Sequence, residues 1–152
     1  MPKIINVREY GAGMETAVRY IHGIWGREEN YAFYYDAIAH SSSTDMALPR
    51  FYLMLEAEEV IGCYALLSND LVSRQDLWPW LGCLWIEPAQ RGRELGKLLL
   101  QHGVRVAGGL GYKTVYLTTD HDSYYERYGW IRMEDGYNLF GEKGRIYWHE
   151  TR

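Results

Sequence analysis

Cysteine is scarce in this chain, and its scarcity excludes several classes of protein. Only two cysteines, Cys63 and Cys83, occur among the 152 residues, and each lies within an apolar run. Such a pair predicts buried, reduced thiols rather than a disulfide framework. Because no cysteine and histidine residues have the spacing of zinc ligands, the sequence also predicts that the protein has no metal site.

Long apolar runs and an excess of positive charge are also missing. No stretch approaches the roughly 20 apolar residues that span a bilayer, and Met1–Ile4 lacks the apolar centre of a signal peptide. The formal net charge of −4 argues against a nucleic-acid partner. We therefore expect a cytoplasmic protein without membrane or nucleic-acid partners, whose mildly acidic surface suits an amine substrate.

The composition predicts a single domain over residues 1–152. An apolar fraction of 47% is sufficient for a hydrophobic core, and neither a composition shift nor an internal repeat marks a domain boundary. Aromatic residues make up 15% of the chain. Most of them are expected in the core, and some in the walls of a pocket.

Apolar periodicity predicts both helices and strands in the first half of the chain. The predicted elements are a strand at Ile4–Arg8, helices at Met14–Trp25 and Asn30–Ala39, a polar loop at His40–Asp45, and a hairpin of Phe51–Glu56 with Val60–Ser68.

The second half begins with a long polar connection, which is the kind of loop that often carries function. The predicted elements are this connection at Asn69–Trp80, a strand at Leu81–Glu87, a long helix whose first turn is bracketed by Gly92 and Gly96 and which ends near Gly108–Gly109, a strand at Lys113–Asp120, a short helix at His121–Tyr128, and closing strands at Trp130–Met133 and Arg145–His149 joined by Gly136–Gly144. A strand, helix, strand order requires a parallel pair and a right-handed crossover. Ligands gather at the carboxyl ends of such strands.

The segment between the strand at Leu81–Glu87 and the following helix has the features of an anion site. Three cations, Arg91, Arg93 and Lys97, lie within seven residues, and Gly92 and Gly96 allow backbone to approach a bulky ligand. The amino terminus of a helix favours phosphate. Neither common nucleotide-binding glycine pattern is present. On spacing alone, phosphate binding and a solvated surface loop remain alternatives.

Two segments resemble the recurrent motifs of the GNAT N-acetyltransferases. Pro88-x-x-Arg91-Gly92-x-Glu94-Leu95-Gly96 resembles the acetyl-CoA signature, and Ser123–Trp130 resembles the aromatic segment that follows the next strand. Glu94 departs from the pattern, because a glycine usually stands there. The resemblance implies an α/β (α+β) GNAT fold with a mixed, mostly antiparallel sheet of six to seven strands, about four flanking helices, and a splayed parallel pair at the coenzyme site.

The resemblance also implies acetyl-CoA as cosubstrate and assigns residues to it. Backbone of the strand would bind the pantetheine arm and stabilise the oxyanion, and the loop would hold the pyrophosphate. The residues implied are Leu84, Trp85 and Ile86 of the strand, and Arg91, Gly92, Arg93, Glu94, Leu95, Gly96 and Lys97 of the loop.

The implied reaction is direct acetyl transfer to a primary amine of a small molecule or peptide, in a ternary complex. By position, Tyr125 is the acid that protonates the departing thiolate. Asp76 is the first choice for the general base, with Glu87, Asp120 or a water relay as alternatives. The expected acceptor walls include Tyr31, Tyr34 and Trp80. A homodimer is a further expectation, and a non-catalytic acyl-CoA sensor is the alternative function.

Overall fold

The computed structural model describes residues 1–41 and 48–152, so the polar loop predicted at His40–Asp45 lies mostly outside the described residues. Within these ranges the chain forms three α-helices and seven strands. They are β1 (Lys3–Asn6), α1 (Met14–Trp25), α2 (Tyr31–Ala39), β2 (Arg50–Glu56), β3 (Glu59–Leu67), β4 (Trp80–Ile86), α3 (Leu95–Gly109), β5 (Thr114–Thr119), β6 (Ile131–Tyr137) and β7 (Lys143–Glu150).

The strands form a mixed sheet, as predicted. Its order is β1-β2-β3-β4-β5-β7-β6. The β4–β5 pair is parallel, with Trp80 opposite Tyr116, and α3 forms the crossover between them. The pairs β1–β2, β5–β7 and β6–β7 are antiparallel. The predicted fold class is therefore confirmed.

The predicted number of helices requires a correction, because the described residues contain three α-helices rather than about four. The segment predicted as a helix at His121–Tyr128 forms only a 3-10 turn at Tyr125–Tyr128. Ser123 has a φ of +65° and Gly129 a φ of +88°. Left-handed backbone at both positions leaves too few residues between them for a stable α-helix.

One compact unit comprises Met1–Ala65 and Cys83–Leu99. Its α1 buries Ala17, Val18 and Ile21, which lie on one face of the helix. The hairpin of β2 and β3 turns at Ala57 and Glu58, both with positive φ. Two consecutive left-handed residues are typical of the type I′ turn, whose twist matches that of the two strands.

The second compact unit comprises Leu66–Gly82 and Leu100–Arg152. Val72, Trp80 and Ile146 form a buried cluster in it. Its closing strands are longer than predicted, since β6 runs to Tyr137 and β7 begins at Lys143. The end of β6 is polar and lies at the edge of the sheet, where charged residues are common and apolar alternation is weak.

Candidate active site

The loop that precedes α3 presents unpaired backbone N–H groups. Gly92 has a φ of +88° and Glu94 a φ of +58°, and α3 begins at Leu95. Within the described residues, the N–H groups of Gly92, Arg93 and Glu94 donate no hydrogen bond. The N–H groups in the first turn of a helix also lack intrahelical acceptors. This segment can therefore donate several hydrogen bonds to an anion.

Glu94 keeps the backbone conformation for which glycine is best suited. Its left-handed φ of +58° costs a residue with a side chain about 1–2 kcal/mol. The side chain is exposed, and it forms no hydrogen bond or ion pair within the described residues. Glu94 therefore preserves the loop geometry while adding a negative charge beside the unpaired N–H groups of the loop.

The three cations of the loop differ in how far protein groups already engage them. Arg91 donates from Nε to the Ile86 carbonyl at 2.9 Å, and its guanidinium lies 4.7 Å from the Trp85 ring centroid. Arg93 forms an ion pair with Glu56 at 2.8 Å. Lys97 forms no ion pair or side-chain hydrogen bond within the described residues. Lys97 is thus the loop cation most available to a phosphate.

Glu87, at the end of β4, serves as a hydrogen-bond acceptor within the first unit. Its Oε2 accepts from the Tyr20 hydroxyl at 2.5 Å and from Trp85 Nε1 at 3.1 Å. Its backbone N–H donates to the Ile61 carbonyl at 2.8 Å. Burial is the main cause of the raised pKa of Tyr20, and the hydrogen bond to Glu87 adds to it. Glu87 therefore holds the end of β4 in place.

β4 approaches β3 closely and is irregular at one residue. A Cβ atom on Gly62 would lie 2.6 Å from the Trp85 carbonyl oxygen, so this contact requires a glycine. Cys83 has a φ of +53°, and its carbonyl accepts a hydrogen bond from the Cys63 thiol at 3.3 Å. Burial raises the pKa of Cys63 to about 12. Both cysteines are free, and the buried Cys63 thiol stays protonated and is a poor nucleophile.

Tyr125 lies in the second unit with only 8% of its surface exposed. It shares a side-chain hydrogen bond with Thr119. Its ring packs edge-on against Tyr124 and lies 5.6 Å from the Tyr147 ring. Burial raises the pKa of Tyr125 to about 12, outweighing the opposite effect of the Thr119 hydrogen bond. The phenol is therefore protonated at neutral pH, which is the state that a proton donor requires.

A cavity of about 370 Å³ lies in the second unit. Its walls come from the end of β5, the hairpin between β6 and β7, and the start of the connection between β3 and β4. Thr119 lines this cavity and is also the hydrogen-bond partner of Tyr125. The cavity and the predicted acid therefore share a residue.

Asp70, a residue to which no sequence motif points, lies in the cavity wall. A Cβ atom on Gly82 would lie 2.9 Å from its Oδ2, so the carboxylate rests on the backbone of β4. It forms no hydrogen bond or ion pair within the described residues. Burial raises its pKa to about 7. The sequence around Asp70 is that of an ordinary turn. Its neighbour Gly82 lies 12 positions further along the chain and approaches it only in the folded protein.

The structure places Asp76, the predicted base, in an ion-pair network. Arg74 contacts Asp76 at 2.9 Å and Glu134 at 2.6 Å. The hydrogen bond from Arg74 lowers the pKa of Asp76, which makes it a weaker base than an ordinary carboxylate. Asp76 does not line the cavity, whereas the alternative candidate Asp120 does.

The three predicted acceptor-wall residues do not line this cavity. Tyr31 and Tyr34 of α2 pack against His22 of α1, with ring centroids 5.1 and 5.6 Å away. Trp80 is fully buried in the second unit and donates from Nε1 to the Leu77 carbonyl at 2.6 Å. Its side chain contributes to the core, so substrate contact at Trp80 has no support in its placement.

Residues 1–41 and 48–152 contain no group of three or more metal-ligating side chains that could hold an ion. No helix in the described part of the chain is both long and apolar enough to cross a membrane.

Comparison with solved structures gives similar folds at low sequence identity. A GNAT family acetyltransferase from Elizabethkingia anophelis with acetyl-CoA bound has 16% identity and a TM-score of 0.68, over 98% of this chain and 97% of that chain. An aminoglycoside 6'-N-acetyltransferase complexed with coenzyme A has 11% identity and a TM-score of 0.72, over 99% and 97%. A mutant spermidine N-acetyltransferase from Vibrio cholerae has 12% identity and a TM-score of 0.69, over 99% and 94%.

The family itself is shown by the sequence. No curated protein matches the chain. Residues 13–130, however, match the model of the acetyltransferase (GNAT) family. This range contains both motifs on which the resemblance depends, so the prediction of the family and of acetyl-CoA as cosubstrate is confirmed. The chain belongs to the acetyltransferase (GNAT) family, an acyltransferase family that uses acetyl-CoA.

Proposed function

We propose that this protein transfers the acetyl group of acetyl-CoA to a primary amine of a small molecule or peptide. The observation that carries the proposal is the loop before α3, where unpaired N–H groups and Lys97 meet the amino terminus of a 15-residue helix. This arrangement suits a pyrophosphate. We propose that residues 1–152 act as one catalytic domain, because the solved relatives named above are covered over 94–97% of their length.

The acceptor class is proposed to be an amine for two reasons. Two of the solved relatives are, by name, an aminoglycoside and a spermidine N-acetyltransferase. In this chain, Asp70, Asp120 and Glu142 line the cavity of the second unit, where Lys143 is the one cationic lining residue among those described. A negative lining attracts an ammonium group.

Direct attack by the amine is proposed rather than a covalent acetyl-enzyme. The thiol of Cys63 is buried and its pKa is raised to about 12, so it is protonated at neutral pH. Tyr125, which is also protonated, would donate its hydrogen bond to the sulfur atom as the carbon–sulfur bond breaks. Both groups thus favour a single transfer step in a ternary complex.

Steady-state kinetics with a panel of amines tests this function. CoA release is followed with a thiol reagent, and the acetylated product is identified by mass. We expect an amine-dependent release, and intersecting double-reciprocal lines when both substrates are varied. Parallel lines would indicate a covalent intermediate and would contradict the ternary complex.

The second candidate is a sensor that binds acyl-CoA without turnover. Glu94 favours it, since a carboxylate beside the loop opposes a pyrophosphate. Calorimetry separates the two functions. Binding of acetyl-CoA without thiol release from any amine would support the sensor, whereas amine-dependent release excludes it. Gel filtration at several protein concentrations tests the expected homodimer.

A further inference from the structure

Asp70 is held in place although its carboxylate has no polar partner in the described part of the chain. The preceding Asn69 anchors the turn, because its side chain accepts the Val72 N–H at 3.1 Å and donates to the Val72 carbonyl at 3.2 Å. Val72 is buried in the core cluster. Leu71 completes the turn with a φ of +56°. The backbone therefore positions Asp70 against Gly82, and its carboxylate remains unpaired within the described residues.

Asp70 is half-buried, and its carboxylate lines the cavity with no hydrogen bond or ion pair within the described residues. A carboxylate in a cavity wall whose pKa is perturbed is often functional. The other charged residues in the cavity lining are Asp120, Glu142 and Lys143. The raised pKa of Asp70 has burial as its cause rather than any of these charges. A cation that enters the cavity would supply the partner that residues 1–41 and 48–152 do not.

We propose that Asp70 is the general base of this enzyme and takes the proton from a substrate that enters the cavity as an ammonium ion. This inference rests on the proposed function. It replaces Asp76, the residue predicted from the sequence, with a residue that lies in the cavity and is free to accept a proton.

The protons and electrons balance in the proposed step. Asp70 takes one proton from R–NH3+ and later releases it to solvent. The neutral nitrogen attacks the thioester carbon, and the sulfur leaves with the electron pair of the broken carbon–sulfur bond. Tyr125 protonates the sulfur, and the second proton lost by the nitrogen restores the phenol. The products are R–NH–CO–CH3, CoA–SH and one solvent proton.

The chemistry suits a carboxylate with these surroundings. An alkylamine with a pKa of about 10 is almost entirely protonated at pH 7, so it must lose a proton before it can attack. A base whose pKa lies near the working pH is partly deprotonated, and it is still basic enough to accept a proton efficiently. Burial places Asp70 in this range, since its pKa is about 7. Asp76 has a lowered pKa and does not meet this condition.

The test is the pH dependence of kcat/KM for the wild-type enzyme, Asp70→Asn and Gly82→Ala. The kcat/KM of the wild type is expected to rise with pH and to reach a plateau above about pH 7. For Asp70→Asn, kcat/KM should lack this inflection and be about 100-fold or more lower than that of the wild type at pH 7. Gly82→Ala should fall as well, because a new Cβ atom displaces the carboxylate without removing it. Glu58→Gln, at an exposed turn of the first unit, is the matched control and should behave as the wild type.

A second acceptor distinguishes a base from a residue that only shapes the cavity. A weakly basic amine such as a hydrazide is neutral at pH 7 and needs no base. The defect of Asp70→Asn should therefore shrink to a few-fold with the hydrazide, and an equal defect with both acceptors would overturn the proposal. A wild-type enzyme that releases no CoA with any amine contradicts the proposed function. An active enzyme whose Asp70→Asn variant keeps the wild-type pH profile overturns the Asp70 assignment alone, and Asp76→Asn then tests the earlier candidate.

Discussion

Arg93 forms a two-point ion pair with Glu56, in which Nη1 donates to one carboxylate oxygen at 2.9 Å and Nη2 to the other at 2.8 Å. This pair connects the loop before α3 to the end of β2 within the first unit. It also lowers the pKa of Glu56 through the hydrogen bonds from Arg93. Arg93 therefore already has its counterion, whereas Lys97 has none within the described residues.

The difference between these two cations predicts unequal effects on acetyl-CoA binding. Lys97→Ala should weaken binding about tenfold, because it removes a cation whose strongest partner is the ligand. Arg93→Ala should weaken it less, since Glu56 already neutralises much of the guanidinium charge. Calorimetry with acetyl-CoA at fixed ionic strength measures both. A larger loss for Arg93→Ala than for Lys97→Ala would contradict this interpretation.

Replacing Glu94 by glycine should improve both stability and coenzyme affinity. The change relieves a left-handed residue and stabilises the fold by about 0.5–1 kcal/mol after the greater flexibility of glycine in the unfolded chain is subtracted. It also removes a negative charge from the loop. Urea unfolding and calorimetry report the two effects separately. Glu94→Gln is the control, which should improve affinity but leave stability unchanged.

Tyr125→Phe should lower kcat about 100-fold and leave KM nearly unchanged, because only the departing sulfur would need the hydroxyl. Since burial raises the pKa of Tyr125 to about 12, kcat should show no loss from phenol ionisation at neutral pH. Tyr128→Phe, in the same 3-10 turn, is the matched control. Steady-state kinetics decides the point, and an unchanged kcat would remove Tyr125 as the acid.

Asp70 should make the protein less stable as the pH rises. Its pKa is about 7 in the folded chain and 3.8 ordinarily, so between these values the native state holds a proton that the unfolded state has lost. The contribution of Asp70 to the free energy of unfolding is therefore highest below about pH 4. It falls as the pH rises from about 4 to about 7. Asp70→Asn should remove this dependence and raise stability at pH 8, by at most about 4 kcal/mol.

Thermal unfolding of the wild type and of Asp70→Asn from pH 5 to 8 measures this pH dependence of stability. A stabilised variant that has lost activity would be the signature of a functional group kept at a cost to stability. If Asp70→Asn is instead less stable than the wild type at pH 8, the carboxylate has a stabilising partner in solution, and its role as an unpaired base is wrong.

The loop before α3 shows which features of a candidate binding site a sequence can predict and which it cannot. Gly92 and the helix that begins at Leu95 were predictable, because glycine placement and apolar periodicity act over a few neighbouring residues. The engagement of Arg93 by Glu56 was not, since these residues are 37 positions apart. In the sequence, the three cations of the loop are equivalent candidates for binding an anion. Only the folded chain shows that they differ in their protein partners.

The predicted base and the predicted acceptor-wall residues depend on tertiary contacts that the sequence does not reveal. The sequence favours Asp76 as the base because it lies shortly before β4, but Arg74 forms an ion pair with it in the folded chain. The position of Trp80 at the end of a long loop favours contact with a substrate, but its side chain is fully buried in the core. A side chain's neighbours, rather than its type, decide whether it faces a ligand or packs inside.

The sequence by itself determined the family, the alternation of helices and strands, and the position of the glycine-bearing loop before α3, because each depends on local spacing. The tertiary structure alone decided that the Asp70 carboxylate is half-buried in a cavity wall and has no partner within the described residues. Asp70 meets Gly82 only after the connection between β3 and β4 folds back on the sheet. The pKa of a carboxyl group depends on solvent and charges within a few ångströms, and the chain establishes these surroundings only by folding.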